Sequence, residues 1–166
     1  IEQESNITLS HVAQALGACG PAYNCLTACT ASTQAIGEAT EILRRGDADI
    51  MIAGGAHTMI HPFGVTGFIR LTALSSRRDD INSASRPFSV DEAGVAPDDV
   101  DDTGRPLIHY ISAHGTGTRE NDSIETRAVK SVFGDMAPKI PMSSVKSMLG
   151  HLIAAAGAVE AIVCVQ

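Results

Sequence analysis

Residues 23–53 read YNCLTACTASTQAIGEATEILRRGDADIMIA, and this stretch decides the fold. Its middle is the clearest helix in the chain. Ala35, Ile36, Ala39, Ile42 and Leu43 recur at helical spacing and form one apolar stripe between residues 31 and 45. Glu41 and Arg45, four apart, lie on the opposite face. Gly46 is placed to end the helix in the left-handed conformation. Residues 23–28 before it are compatible with a short strand, and residues 49–53 after it read as a buried strand broken by Gly54-Gly55. Strand, helix, strand in that order is a βαβ unit, which implies a parallel sheet.

Upstream, residues 1–20 open polar and then read helical, with Val12, Ala13, Leu16 and Gly17 at helix spacing and Gly20-Pro21 as the stop. Downstream, residues 56–90 are punctuated by Gly and Pro, and Asp98 to Asp102 with Gly104 and Pro106 form an acidic loop. Residues 107–112 predict a second strand, 123–133 a helix and 140–143 a short strand. An Ala-rich helix follows Gly150-His151. The whole is an α/β pattern.

Composition narrows the function classes. With 44% apolar and 19% charged residues, the chain has the material for a buried core and is not a disordered acidic tail. A net charge of −7 argues against duplex nucleic acid as a partner. Cys19, Cys25, Cys29 and Cys164 contain no CxxC pair, which argues against a zinc ribbon and for reduced thiols in a cytosol. The longest apolar run, residues 152–165, carries Glu160 and falls short of the roughly 20 residues of a membrane span.

Chemistry concentrates at few residues. Cys29 lies where the first predicted strand turns into the helix, among the small side chains of Ala28, Thr30, Ala31 and Ser32. Backbone N–H groups at a helix start suit an oxyanion beside a nucleophilic sulfur. A buried, inert thiol is the bland alternative, and it is the reading for Cys19, Cys25 and Cys164. His114 ends the second strand and enters Gly115-Thr116-Gly117-Thr118, at the carboxyl edge of a parallel sheet where α/β sites form. His151 follows Gly150 at the mouth of an apolar helix, and Lys146 lies in Ser143-Ser144-Val145-Lys146-Ser147. A Lys near an apolar segment needs a carboxylate, and Asp122 and Glu125 are candidates. A surface lysine is the alternative. His57 and His61 are four apart, but the flanking Gly-Gly and Pro62 argue against a metal-binding helix.

Taken in order, Thr27-Ala28-Cys29-Thr30-Ala31-Ser32, Ala113-His114-Gly115-Thr116-Gly117-Thr118, Lys146, and Gly150-His151-Leu152 with Ala154 to Gly157 resemble the elongating β-ketoacyl-(acyl carrier protein) synthases of the thiolase superfamily. Ser85-Arg86-Pro87-Phe88, Asp47-Ala48-Asp49 and Ala53-Gly54-Gly55-Ala56 also match. The resemblance implies a layered α-β-α-β-α thiolase-like fold, here in part. Residues 1–91 belong to a nucleophile-bearing half and 92–166 to a half carrying both histidines. It implies that Cys29 takes an acyl group and that His114 and His151 hold the enolate left by decarboxylation of a malonyl thioester. Lys146 and Glu125 support them, with Asp122 beside. Thr116 and Thr118 match positions that contact the carrier's phosphopantetheine arm, and Gly64 and Phe68 match the acyl-pocket wall.

The same resemblance implies no metal and no cofactor beyond that arm, a homodimer, and an acidic acyl carrier protein as partner. Arg44, Arg45, Arg70, Arg77 and Arg78 are candidates for a basic patch to meet it, and plain solvated arginines are the alternative. Full family members are longer. After Asp91 the sequence skips a Gly-rich segment, and the late Gly-Phe-Gly loop is absent. An incomplete synthase is therefore expected, and the alternative is a non-catalytic remnant that only pairs with a full-length subunit.

Overall fold

The computed structural model describes residues 4–75, 85 and 108–166. Two compact units emerge. One comprises Ile1–His57 with Leu152–Gln166, the other Thr58–His151.

The first unit is helical among its described residues. Helix α1 (Ser5–Leu16) ends at Gly17, whose φ of 64° is the left-handed cap a glycine adopts without strain. The helix thus stops three residues before the Gly20-Pro21 signal, and Gly17 caps it rather than extending its stripe. Helix α2 (Ala31–Arg45) has the predicted bounds, with Gly46 at φ 76°. A 3₁₀ turn, Ala28–Thr30, leads straight into it. A matching 3₁₀ turn, Ile153–Ala155, leads into the last helix, here α6 (Ala156–Val165). The two turns pack on each other, as do α2 and α6. Each turn opens on a non-glycine residue at φ 50°, Ala28 and Ile153, a region that L-residues visit at a cost.

The core of this unit is made of small residues. Ala31, Ser32, Ala39, Ile42, Ala156 and Gly157 are its buried positions. Gly157 shows why. A Cβ there would run into Thr33 Oγ1 and the Thr33 backbone, so the absence of a side chain is what lets α6 approach α2. Gly55 is equally confined, by the Ala154 carbonyl and by Ser32 Cβ at 2.8 Å. Leu43, placed on the predicted stripe, is 41% exposed. Glu41 pairs with Arg44 at 2.5 Å rather than with Arg45, which instead reaches Asp47 at 2.8 Å. That hydrogen bond to Asp47 raises the Arg45 pKa.

The second unit contains the βαβ element. Strand β1 (Ile111–Ser112) pairs in parallel with β2 (Met142–Ser143), Ile111 opposite Met142 and Ser112 opposite Ser143. Helix α4 (Arg119–Phe133) crosses between them. It starts four residues before the predicted helix, with Glu120 and Asp122 in a first turn whose dipole favours acidic groups. Ala113, Met136 and Ile140 are buried here. The one-turn α5 (Lys146–Leu149) follows β2.

Helix α3 (Pro62–Arg70) is one the sequence reading did not foresee. Pro62 occupies its first turn, and His61 Nδ1 caps it by accepting the Gly64 N–H at 3.2 Å. That bond occupies one ring nitrogen of the pair weighed as metal ligands.

The predicted strands at 23–28 and 49–53 are not formed. A strand exists only through its ladder partners, and among the described residues the sole ladder is β1 with β2. Residues 51–60 run without regular structure, and Ile50 and Ile52 are 83% and 68% exposed. The expected layered sheet is thus represented here by two strands. The Ser85-Arg86-Pro87-Phe88 match apart from Ser85, the junction at Asp91, the acidic loop and Arg77 and Arg78 lie outside the described residues. Among the described residues, no helix is long and apolar enough to cross a membrane.

Candidate active site

In the first unit, Cys29 occupies the middle of the 3₁₀ turn at the start of α2 and is half-buried. The positive φ of Ala28 bends the chain sharply just before the sulfur. Thr30 braces the turn from the other side, donating to the Thr27 carbonyl through Oγ1 at 2.7 Å and through N–H at 3.1 Å. Thr27 Oγ1 in turn donates to Gln34 Oε1 at 2.9 Å. Thr30, the cap residue of α2, makes no side-chain cap bond, which leaves the N-terminal end of the helix uncovered by it. Cys25 is half-buried, Cys19 and Cys164 are exposed, and none of the four cysteines is in a disulfide.

In the second unit, the ladder continues one residue past β1 through the Ala113 N–H to the Ser143 carbonyl at 2.9 Å. His114 comes next. Its ring meets that of His151 with centroids 5.2 Å apart and planes at 84°, an edge-on arrangement. A ring nitrogen from each lies within 4.8 Å of the other. Two such N–H donors can share one oxygen placed between them at about 2.9 Å from each. Two imidazoles so placed suit an oxygen on which negative charge develops.

The backbone carrying His114 is held by a carboxylate. Glu125, on α4, accepts the His114 N–H at 2.6 Å and the Gly115 N–H at 2.8 Å, one on each oxygen. Asn121 Nδ2 steadies it at 3.1 Å. Glu125 therefore meets main-chain donors at the histidine. Asp122 Oδ1 accepts from Asn121 at 3.2 Å and from the Gly117 N–H at 3.3 Å. Thr116 and Thr118 hydroxyls bond to each other at 2.9 Å. Lys146, 2% exposed, is the first residue of α5 and no surface lysine. Gly64 and Phe68 lie four apart, hence on one face of α3. Gly64 is buried, and a Cβ there would approach the Met59 carbonyl to 2.5 Å.

Asn121 and Ser144 were not singled out from the sequence, although both sit inside motifs that were quoted or flanked. Ser144 is the residue between the paired Ser143 and Val145, and its burial and its hydrogen bonds distinguish it.

Comparison with known proteins identifies the family. The model of the β-ketoacyl synthase N-terminal domain matches residues 1–98, and that of the C-terminal domain residues 89–166. A Coxiella burnetii protein called 3-oxoacyl-(acyl-carrier-protein) synthase 2 is 32% identical over 209 aligned positions, covering 88% of this chain and 49% of that protein. A Synechocystis protein of the same name is 34% identical, over 91% of this chain and 50% of its own. The chain thus spans about half the length of the curated relatives it matches. The 209 aligned positions exceed the 166 residues here, so the match bridges positions that the relative has and this chain lacks.

Among solved structures, one of a type II PKS acyl-carrier protein in complex with its ketosynthase bound to the hexaketide aligns at a TM-score of 0.84 and 30% identity, over 97% of this chain and 53% of the other. A ketosynthase in complex with its chain length factor from Xenorhabdus doucetiae aligns at 0.74 and 26%, over 98% and 50%. The fold is that of the ketosynthases, thiolase-like and present here in part. With one domain model covering more than half of the chain and the other overlapping its end and covering the rest, this chain belongs to the β-ketoacyl synthase family.

Proposed function

We propose that this chain carries the chemistry of a 3-oxoacyl-(acyl-carrier-protein) synthase, a decarboxylative Claisen condensation in fatty-acid or polyketide elongation. The observation that carries the reading is the edge-on pair His114 and His151, with the His114 backbone fixed by Glu125. Cys29 attacks an acyl thioester. The carbonyl carbon forms a bond to its sulfur, and the carrier's pantetheine thiol leaves with the proton. A malonyl thioester then loses carbon dioxide, and the electron pair of the broken C–C bond passes into an enolate. His114 and His151 each donate an N–H to the enolate oxygen. The enolate carbon attacks the acyl carbonyl, a C–C bond forms, and the Cys29 sulfur departs.

The other residues take supporting parts. Glu125 positions His114 through the main chain. Lys146 and Asp122 belong to the same supporting network. Thr116 and Thr118 meet the phosphopantetheine arm, which arrives on an acyl carrier protein and supplies the thioester. The relative bound to its acyl-carrier protein supports that partner. Gly64 and Phe68 wall the acyl chain. We place the nucleophile-bearing half at residues 1–91 and the histidine-bearing half at 92–166, in a cytosolic homodimer.

Mass spectrometry after incubation with an acyl thioester tests the reading. Cys29 gains the acyl mass while Cys25 does not, and Cys29→Ala abolishes both the adduct and condensation. Equal, slow labelling of the two thiols would leave the chain a partner-only remnant.

A further inference from the structure

One buried hydroxyl ties together two backbone segments and has no part in the chemistry above. Ser144 is 6% exposed. Its Oγ lies 3.0 Å from the Gly115 carbonyl oxygen and 3.4 Å from that of His114. A hydroxyl has one proton to give, so Gly115, at the better distance, receives it. The same oxygen accepts the Lys146 N–H at 3.3 Å. Lys146 opens α5, whose single turn ends at Gly150 and delivers the chain to His151. The Ser144 carbonyl adds two bonds to that turn, accepting the Ser147 N–H at 3.2 Å and the Ser147 hydroxyl at 3.0 Å.

The His114–Gly115 segment is thus held from two sides. Glu125 takes its N–H groups and Ser144 its carbonyl. Gly115, at φ 39°, lies in a region of backbone space where glycine is free to move, so the turn depends on such external bonds for its shape.

We infer that Ser144 is a positioning residue that sets the separation and angle of the His114 and His151 rings, by bonding the segment that bears the first and the turn that presents the second. The inference deepens the proposed function and rests on its assignment of the two imidazoles to the enolate oxygen. Without Oγ, a buried carbonyl and a buried N–H lose this partner, and the two segments are free to drift apart. Ring geometry then degrades, which slows enolate formation and leaves thioester binding nearly untouched.

The test uses the whole chain with carbon-13-labelled histidine, as wild type, S144A and S144C. Two quantities are read: the magnetic contact between the His114 and His151 ring protons, and steady-state decarboxylation of a malonyl thioester. In S144A the ring contact is lost and kcat falls about tenfold, the rate equivalent of one hydrogen bond, while KM stays within about twofold. S144C, close in size and a weaker donor, lies between. An unchanged ring contact with unchanged kcat in S144A overturns the inference. Should S144A not fold, S144C decides by the same two readings. A wild-type chain that shows the ring contact and no decarboxylation refutes the functional reading alone, because loss of the contact in the variants still supports the positioning role.

Discussion

The two ends of the proposed chemistry are held in different ways. The turn bearing Cys29 is braced locally by Thr30 on the Thr27 carbonyl, and the helix behind it is fixed by close packing. Small residues let α6 lie against α2, and the contacts at Gly157 and Gly55 leave no room for a methyl group. Even the polar contact there, the Ala158 N–H to Ser32 Oγ at 3.0 Å, serves helix packing, since it satisfies a donor of the first turn of α6 that has no partner within its own helix. The turn bearing His114 is fixed instead by side chains from segments distant in sequence bonding to its main chain, through Glu125 and Ser144. A nucleophile needs a firm helix end, and the close packing of small residues behind the helix provides that. Two donors aimed at one oxygen need angular control, which directional hydrogen bonds supply better than packing.

If that contrast holds, bulk harms the first region most and loss of an acceptor harms the second. Gly157→Val has the largest expected effect. Its side chain separates α2 from α6 and costs about 3 kcal/mol, or roughly 10 °C of thermal midpoint, measured by calorimetry. Glu125→Gln comes next. The amide turns an N–H₂ toward one of the two main-chain donors, and the expected loss is about 2 kcal/mol in urea unfolding, with faster hydrogen exchange at His114 and Gly115 and none at α2. Ser32→Ala is the smallest, about 1 kcal/mol, because only one N–H loses its acceptor while the packing stays. A larger penalty for Ser32→Ala than for Gly157→Val would reverse the contrast.

The sequence was most informative where a local rule was self-sufficient. Apolar spacing and a terminal glycine set both ends of α2, and Gly46 adopts the left-handed cap expected of it. It was least informative where an element depends on distant partners. Residues 49–53 have the composition of a strand, yet none of the described residues offers them a ladder. Gly64-Val65-Thr66-Gly67 has the composition of a loop, yet a proline, the His61 cap and the contact with Met59 make it helical. At the site, residue types pointed to Cys29, His114, His151 and Glu125, because nucleophiles, imidazoles and carboxylates are chemically conspicuous. Ser144 and Asn121 are chemically ordinary, and only their bonds single them out.

The order of short motifs along the chain was enough to fix the family, since a thiol at a helix start followed by two histidines each entering or leaving a glycine-bearing turn is a pattern readable residue by residue. Tertiary structure alone decided that Glu125 grips the main chain at His114 and that Lys146 is buried. It also decided the 5.2 Å, edge-on meeting of two rings 37 positions apart. The physical reason is range. Helix periodicity and glycine caps act within a few residues, whereas the aim of a donor is set by whichever groups the folded chain brings against it.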